Sequence, residues 1–335
     1  MPGMQNVIWG LLVLLGVQVL LVLFMYYPSA GEETARAGAV LDLGERTIDE
    51  VSIAAGDGAV VVLRRAGEDW VLPDAEDFPA DGARVRRLLD DLAALDRGLP
   101  VATTADARQR FRVAEDDFER RIDLSAAGEV VGSLYLGSSS GAGSVHLRLA
   151  EESAIYDVEF GLFDAPAGQH EWLAQDILAL DEDAIGSIDT GEVVLMRAAA
   201  EDPVAPGPEA GTDVDESIEA VVADATSSPP RWQIDGLADG ERVNEVGADA
   251  LVGSVARLRI TGLLDAAPRL DAGAELTLRV TVDGDVREYR LAKVEDSEDY
   301  ALRVSNRDET FEIAGWAGDA LLNQAAREAL VDAAN

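Results

Sequence analysis

The chain has 335 residues, with 64 acidic residues against 27 lysines and arginines and a formal net charge of −37. That balance argues against nucleic acid and anionic lipid surfaces as partners of its polar part, because both are polyanions. Hydrophobic residues make up 48 % of the chain, enough for real cores, and there is no cysteine whose pairing would report the redox compartment.

The first element in chain order is the apolar run Val7–Tyr27, VIWGLLVLLGVQVLLVLFMYY. It carries no charge, and Gln18 is its only strongly polar residue. As a helix it spans about 31 Å, close to the thickness of a bilayer hydrocarbon core. Trp9 and the Tyr26-Tyr27 pair sit near its two ends, where amphipathic rings favour the headgroup level, and Pro28 stops the helix. A cleaved signal peptide has a shorter apolar region, and Pro28-Ser29-Ala30 is a poor cleavage site. The expectation is a short leader over 1–6, a transmembrane anchor over 7–27 and a linker over 28–46. The first six residues carry no lysine or arginine, so the positive-inside rule has little to act on. A signal-anchor with a very short leader points to a single pass through the cytoplasmic (inner) membrane, with the bulk on the extracytoplasmic side.

The rest of the chain says much the same thing twice. Ile48-Asp-Glu-Val51 resembles Ile185-Gly-Ser-Ile188, and Val62-Leu-Arg-Arg65 resembles Val194-Leu-Met-Arg197. Trp70-Val-Leu72 and Trp232-Gln-Ile234 each open a following strand. Val85, Leu88, Leu89, Leu92 and Leu95 then recur at amphipathic-helix spacing, and Leu251, Val252, Val255 and Leu258 match their last four members. Hairpins turn at Ala127-Gly128 and at Asp283-Gly284-Asp285. Leu147-Arg148 and Tyr156-Asp-Val158 match Leu302-Arg303 and Phe311-Glu-Ile313. Short helices around Trp172 and Trp316 close the copies. The pattern predicts an α+β fold, two tandemly duplicated lobes with largely antiparallel sheets, over 47–180 and 181–335. The segment 198–230 has no counterpart. It holds eight acidic residues, no basic ones and five prolines, and reads as a surface loop with a minority reading as a docking element.

Several motifs point towards chemistry and fail on context. Gly137-Ser138-Ser139-Ser140-Gly141 matches the nucleophile-elbow pattern, but a strand rather than a helix follows it, so a Gly/Ser hairpin loop is the better reading. A hydrolase would need Ser139, His146 and an acid within hydrogen-bond reach. Asp181-Glu-Asp183-Ala-Ile185-Gly186 with Glu192 nearly matches a calcium loop, but Ile185 stands where an oxygen ligand belongs, and a strand follows. His146 and His170 are the only histidines, so a zinc site would need carboxylates. There is no P-loop and no dinucleotide fingerprint. Asp90-Asp91 and Glu115-Asp116-Asp117 with Glu119 read as solvated faces, and Trp70, Trp172, Trp232 and Trp316 as core anchors. No catalytic, cofactor-binding or metal-binding residues are assigned, no cofactor is expected, and the chain is expected not to be an enzyme.

The anchor, the segment Ile48–Leu72 leading into Pro73, Phe78-Pro-Ala-Asp81, Arg110-Phe-Arg-Val113, Phe118-Glu-Arg-Arg-Ile122, Leu134-Tyr-Leu-Gly137 and Ile155-Tyr-Asp-Val158 together carry a family resemblance. The chain resembles a bacterial family known as domain of unknown function 4340, most closely over the first copy. What the resemblance implies is a membrane-tethered, extracytoplasmic companion of an ABC-type transport system with a gliding-motility-like auxiliary component. The leading expectation is therefore an accessory or scaffold protein whose partners are the membrane and an ABC permease or auxiliary subunit. A tethered protein holding a ligand between two lobes is the alternative, and an envelope hydrolase the remote one.

Overall fold

The computed structural model of the chain describes residues 18, 38–41, 46–198 and 231–333. The predicted anchor over 7–27, residue 18 apart, and nearly all of the acidic insert lie outside the described residues. Among the described residues, no helix is long and apolar enough to cross a membrane. The chain divides into two compact units between Trp172 and Leu173, not at 180/181 as the sequence pattern suggests. The intervening stretch is held by the second unit: Leu180 N–H donates to Ala256 O at 2.8 Å, and Ile260 N–H to Gln175 O at 2.9 Å.

Both units are α+β with antiparallel sheets. The main sheet of unit 1 begins with the strands β1 (Glu50–Ala55), β2 (Val60–Ala66), β3 (Asp69–Leu72) and β4 (Phe78–Pro79), beside a separate two-stranded pairing of Gly38–Ala39 with Asp96–Arg97. Alternation decides which face is covered: Val51, Ile53, Val61, Leu63, Trp70 and Leu72 are buried while their neighbours are not. Helix α1 (Gly82–Ala94) follows, and the Asp81 side chain accepts from Ala83 and Arg84 N–H at 3.0 Å, satisfying two of its first free donors. Its stripe Val85, Leu88 and Leu92 is fully buried, worth about 1.5–3 kcal/mol for each large side chain. A short helix α2 (Ala105–Arg110) leads into the meander β5 (Arg120–Ala126), β6 (Glu129–Gly141), β7 (Ser144–Leu149) and β8 (Ile155–Glu159). The sheet order is β4-β3-β2-β1-β5-β6-β7-β8. Trp172 closes the unit: its ring lies under Arg84, its Nε1–H donates to Pro166 O at 2.9 Å, and its carbonyl accepts from Asp81 N–H at 2.7 Å.

Unit 2 runs β9 (Ile185–Asp189), β10 (Val194–Arg197), β11 (Trp232–Ile234), β12 (Arg242–Val243), α3 (Glu245–Ala256), β13 (Gly262–Leu263), α4 (Pro268–Ala272), β14 (Leu276–Val282), β15 (Asp285–Lys293), β16 (Tyr300–Val304), β17 (Thr310–Ile313), α5 (Gly315–Ala325), α6 (Arg327–Leu330) and β18 (Val331–Asp332). Its main sheet has the order β11-β10-β9-β14-β15-β16-β17-β13. Seven strands therefore follow one order in both units, β3-β2-β1-β5-β6-β7-β8 and β11-β10-β9-β14-β15-β16-β17. The eighth strand differs. Unit 1 adds β4 beside β3, and unit 2 adds β13 at the opposite edge, where unit 1 has only the bridge of Ala102 to Ile155. Helices α3, α5 and α6 pack together, and β12 pairs with β18. Close approach in this cluster needs a glycine, since a Cβ on Gly318 would lie 2.1 Å from the Tyr300 ring.

One predicted core anchor is corrected. Trp70, Trp172 and Trp232 are buried, but Trp316 is 79 % exposed. It sits in the first turn of α5, off the stripe of Gly318, Leu321 and Ala325 that the helix buries.

Candidate functional site

The polar features that sequence analysis singles out meet most densely at one end of unit 1, where α2 turns back over β6, β7 and β8. Thr104 caps α2 through Ala107 N–H at 3.3 Å. The helix stops at Phe111, and Arg112 takes a left-handed conformation with φ 56. Its N–H and that of Val113 return to Gln109 O and Arg108 O at 3.1 and 2.9 Å, closing the last turn. An arginine at a position that favours glycine costs of order 1 kcal/mol. Its hydrogen bond and ion pair with Asp117, at 3.0 Å, and its ion pair with Glu119 hold its guanidinium above its ordinary pKa. The acidic cluster expected to be a solvated face is thus partly occupied: Asp117 and Glu119 hold Arg112, and Asp116 accepts from Gln109 at 2.8 Å.

This turn rests directly on β6. A Cβ on Gly137 would stand 2.0 Å from Phe111 O and 2.7 Å from Arg112 O, so the first glycine of the elbow-like motif serves close backbone approach. The motif is not a loop. It continues β6, with register shifts at Leu136/Ser139 and Ser139/Gly141, and the chain reverses only at Ala142-Gly143. Phe111 stacks on His146, with centroids 4.1 Å apart and planes 15° apart, and the Arg110 guanidinium lies 4.5 Å from the Phe111 centroid.

The serines and His146 do not form a proton relay. His146 Nδ1 is 2.8 Å from Ser138 O, an atom that only accepts, so Nδ1 carries a hydrogen and is closed as a base. Ser138 Oγ lies 3.3 Å from the same nitrogen and donates to Phe111 O. Ser139, the elbow position, donates instead to Gly141 O and Ser144 O at 2.8 and 3.2 Å. Asp157 faces His146 across the β7–β8 pair and accepts from Ser140. The arrangement stacks and orients; it does not activate a hydroxyl.

Beneath this cluster lies a residue that motif searching passes over. Arg148 is only 1 % exposed. Its Nε donates to Val113 O at 2.7 Å, and its Nη1 to Leu149 O, Ala150 O and Glu152 O at 3.1, 3.1 and 3.2 Å. Its guanidinium also packs 4.6 Å from the Tyr135 centroid. Burial first, and then the neighbouring Arg108, push its pKa below the ordinary arginine value. The available signal was alternation: a charge between Leu147 and Leu149 on a strand must face the α2 side while they face the core.

The other candidates do not converge. The calcium-like loop holds the 3₁₀ turn Glu182–Ala184 and then β9; Asp181 caps that turn, Asp183 pairs with Arg197, and Glu192 accepts from Arg327 N–H. Among the described residues no group of three or more His, Asp or Glu side chains is placed to hold a metal. Asp90 and Asp91 are exposed on α1. A surface concavity at the β5–β6 hairpin is lined by Arg46, Thr47, Asp49, Glu129 and Val130, but the Asp49 carboxylate is already engaged by Ala127 N–H at 2.7 Å.

The family described as Domain of unknown function (DUF4340) matches residues 70–278, well over half of the chain, and the chain belongs to that family. The match opens at Trp70, covers the α2–β8 locus and ends within β14. No curated protein and no solved structure matches the chain.

Proposed function

We propose that this DUF4340 member is a single-pass, membrane-anchored accessory or scaffold protein of the cell envelope, with both units on the extracytoplasmic side. The observation that carries the proposal is the uncharged run Val7–Tyr27 placed ahead of two complete sheet units. Its length and flanking aromatic residues suit a bilayer. The shared seven-strand order supports an origin of the two units by tandem duplication. The engagement of Ser139 and of His146 Nδ1 with backbone carbonyls supports a role in binding rather than catalysis.

The proposed partner is an ABC-type permease or its auxiliary subunit, following the family resemblance. Tethering confines both proteins to one plane and raises effective concentration, so contacts that are individually weak suffice. The test is affinity purification of the tagged full-length protein in mild detergent, with mass spectrometry of what co-purifies. Recovery of a permease with its ATPase, lost when 7–27 is exchanged for an unrelated anchor or when either unit is deleted, is the expected result. Recovery of background alone, under conditions that preserve known membrane complexes, rejects the accessory role.

A further inference from the structure

Among the described residues, Arg148 and Arg108 share an environment that lacks a hydrogen-bonded counter-ion. Arg148 Nη2 and Arg108 Nε are buried and have no hydrogen-bond partner among the described residues. Each buried donor left unpaired costs about 1–3 kcal/mol, and a buried charge without a partner costs more. The charges around them do not compensate. Glu115, the carboxylate acting on Arg148, is exposed and hydrogen-bonds to neither guanidinium among the described residues, and the Tyr135 ring offers only its face. In a chain with 64 acidic and 27 basic residues, two neighbouring arginines with no carboxylate hydrogen-bonded to either guanidinium, among the described residues, are against the composition.

Unit 2 supplies the control. Arg148 pairs with Ile155 and Tyr135 across its sheet, and Arg303 pairs with Thr310 and Arg290 at the same place in the shared strand order. The short helices also correspond. Val101 N–H donates to Ile155 O four residues before α2 begins, and Leu264 N–H to Thr310 O four residues before α4 begins. The fourth residue of α2 is Arg108, and the fourth residue of α4 is Asp271. Asp271 forms an ion pair with Arg303, whose Nε also donates to Thr310 Oγ1 at 2.9 Å. Where unit 2 places a carboxylate, unit 1 places a second guanidinium.

We propose that Arg108 and Arg148 bind a small oxyanion, a phosphate, sulfate or ligand carboxylate that takes the part Asp271 plays in unit 2. Guanidinium N–H groups are the donors best matched to such oxygens, and a charge-assisted contact supplies the acceptor that an orphaned nitrogen lacks. Arg108 is only half-buried, which leaves the site a route to solvent, and Arg110 stands exposed two residues further on. The proposal is independent of the scaffold role.

The test is thermal unfolding of the full-length protein in detergent, with phosphate, sulfate or acetate titrated against chloride at constant ionic strength. The expected result is a Tm rise that saturates at millimolar anion, as binding to the native state requires. Arg108→Gln weakens the response by about tenfold or more while leaving the fold intact, because the hydrogen bonds Arg108 gives the turn are made by its backbone and its side chain makes none among the described residues. Arg108→Asp reproduces unit 2: it raises Tm in chloride and abolishes the response. A rise that never saturates and is equal in Arg108→Gln is general salting-out, and overturns the proposal. So does an unchanged Tm in all three anions. Which of the three anions saturates lowest separates a phosphate-like ligand from a carboxylate.

Discussion

In unit 1 a buried arginine lies in the field of another arginine; in unit 2 the equivalent arginine is paired with an aspartate. The seven strands around these pairs follow the same order. What differs is carried on the short helix laid across the sheet, and on the turn that follows it. The α2 turn of unit 1 brings a left-handed arginine, a ring stacked on a histidine and an orphaned guanidinium to one place. The α4 side of unit 2 packs Ala267, Leu270, Ala292 and Ala301 into a plain apolar cluster. A repeated scaffold is satisfied by either solution, because the sheet depends on its alternating apolar face and not on the polar rim.

The largest effects should come from the element both units share. Leu88→Ala in α1 and Leu251→Ala in α3 each remove a fully buried leucine and should cost about 2–5 kcal/mol. Urea unfolding followed by hydrogen-exchange mass spectrometry should place the main loss of protection in the unit mutated. A cost under about 1 kcal/mol in one of them breaks the equivalence of the two helices.

Close-approach glycines come next. Gly137→Ala forces a methyl against two backbone carbonyls of the α2 turn, and Gly318→Ala forces one into the Tyr300 ring. Both should destabilise by about 1–3 kcal/mol. Gly137→Ala should also disturb the His146 ring environment, which an imidazole NMR shift reports, whereas Gly318→Ala should leave it unchanged.

Alkaline pH should act through Tyr300. Its hydroxyl donates to Asp319 at 2.6 Å, and that bond, with burial and the carboxylates Asp319, Glu275 and Glu298, holds its pKa up to about 12. A folded-state pKa above the unfolded value of about 10 means that the contribution is complete below pH 10. It is then lost as pH rises towards about 12, because the unfolded chain deprotonates first. Tyr300→Phe should flatten the loss of stability over that window, as read from urea midpoints against pH. An unchanged slope removes the assignment to Tyr300.

The smallest effect expected is that of Asp271→Arg, which gives unit 2 the charge pattern of unit 1. The Asp271–Arg303 pair is largely exposed, so the cost should be about 1 kcal/mol or less and should shrink in high salt. A cost several times larger would show that unit 2 depends on its carboxylate more than exposure allows.

Much of this architecture is legible in the residues. The amphipathic stripe from Val85 to Leu95 and the matched tryptophan strands predict an α+β pattern, because side-chain period follows directly from backbone geometry. The hairpin turns at Ala127-Gly128 and Asp283-Gly284 were equally local. Trp316 departs from the core-anchor expectation because its residue type says how much area it could bury, and only the packing of α5 decides which side of the helix is covered. The elbow-like Gly-Ser run looked like a loop, and only the strands on either side of it show that β6 runs through it. The Arg108–Arg148 locus was out of reach of motif reading altogether. Its members lie on a helix and a strand far apart in sequence, and its meaning depends on an absent carboxylate that only the superposable strand order of unit 2 brings to light. Local periodicity is written along the chain, whereas burial, close approach and the balance of charge at one point are properties of what the fold brings together.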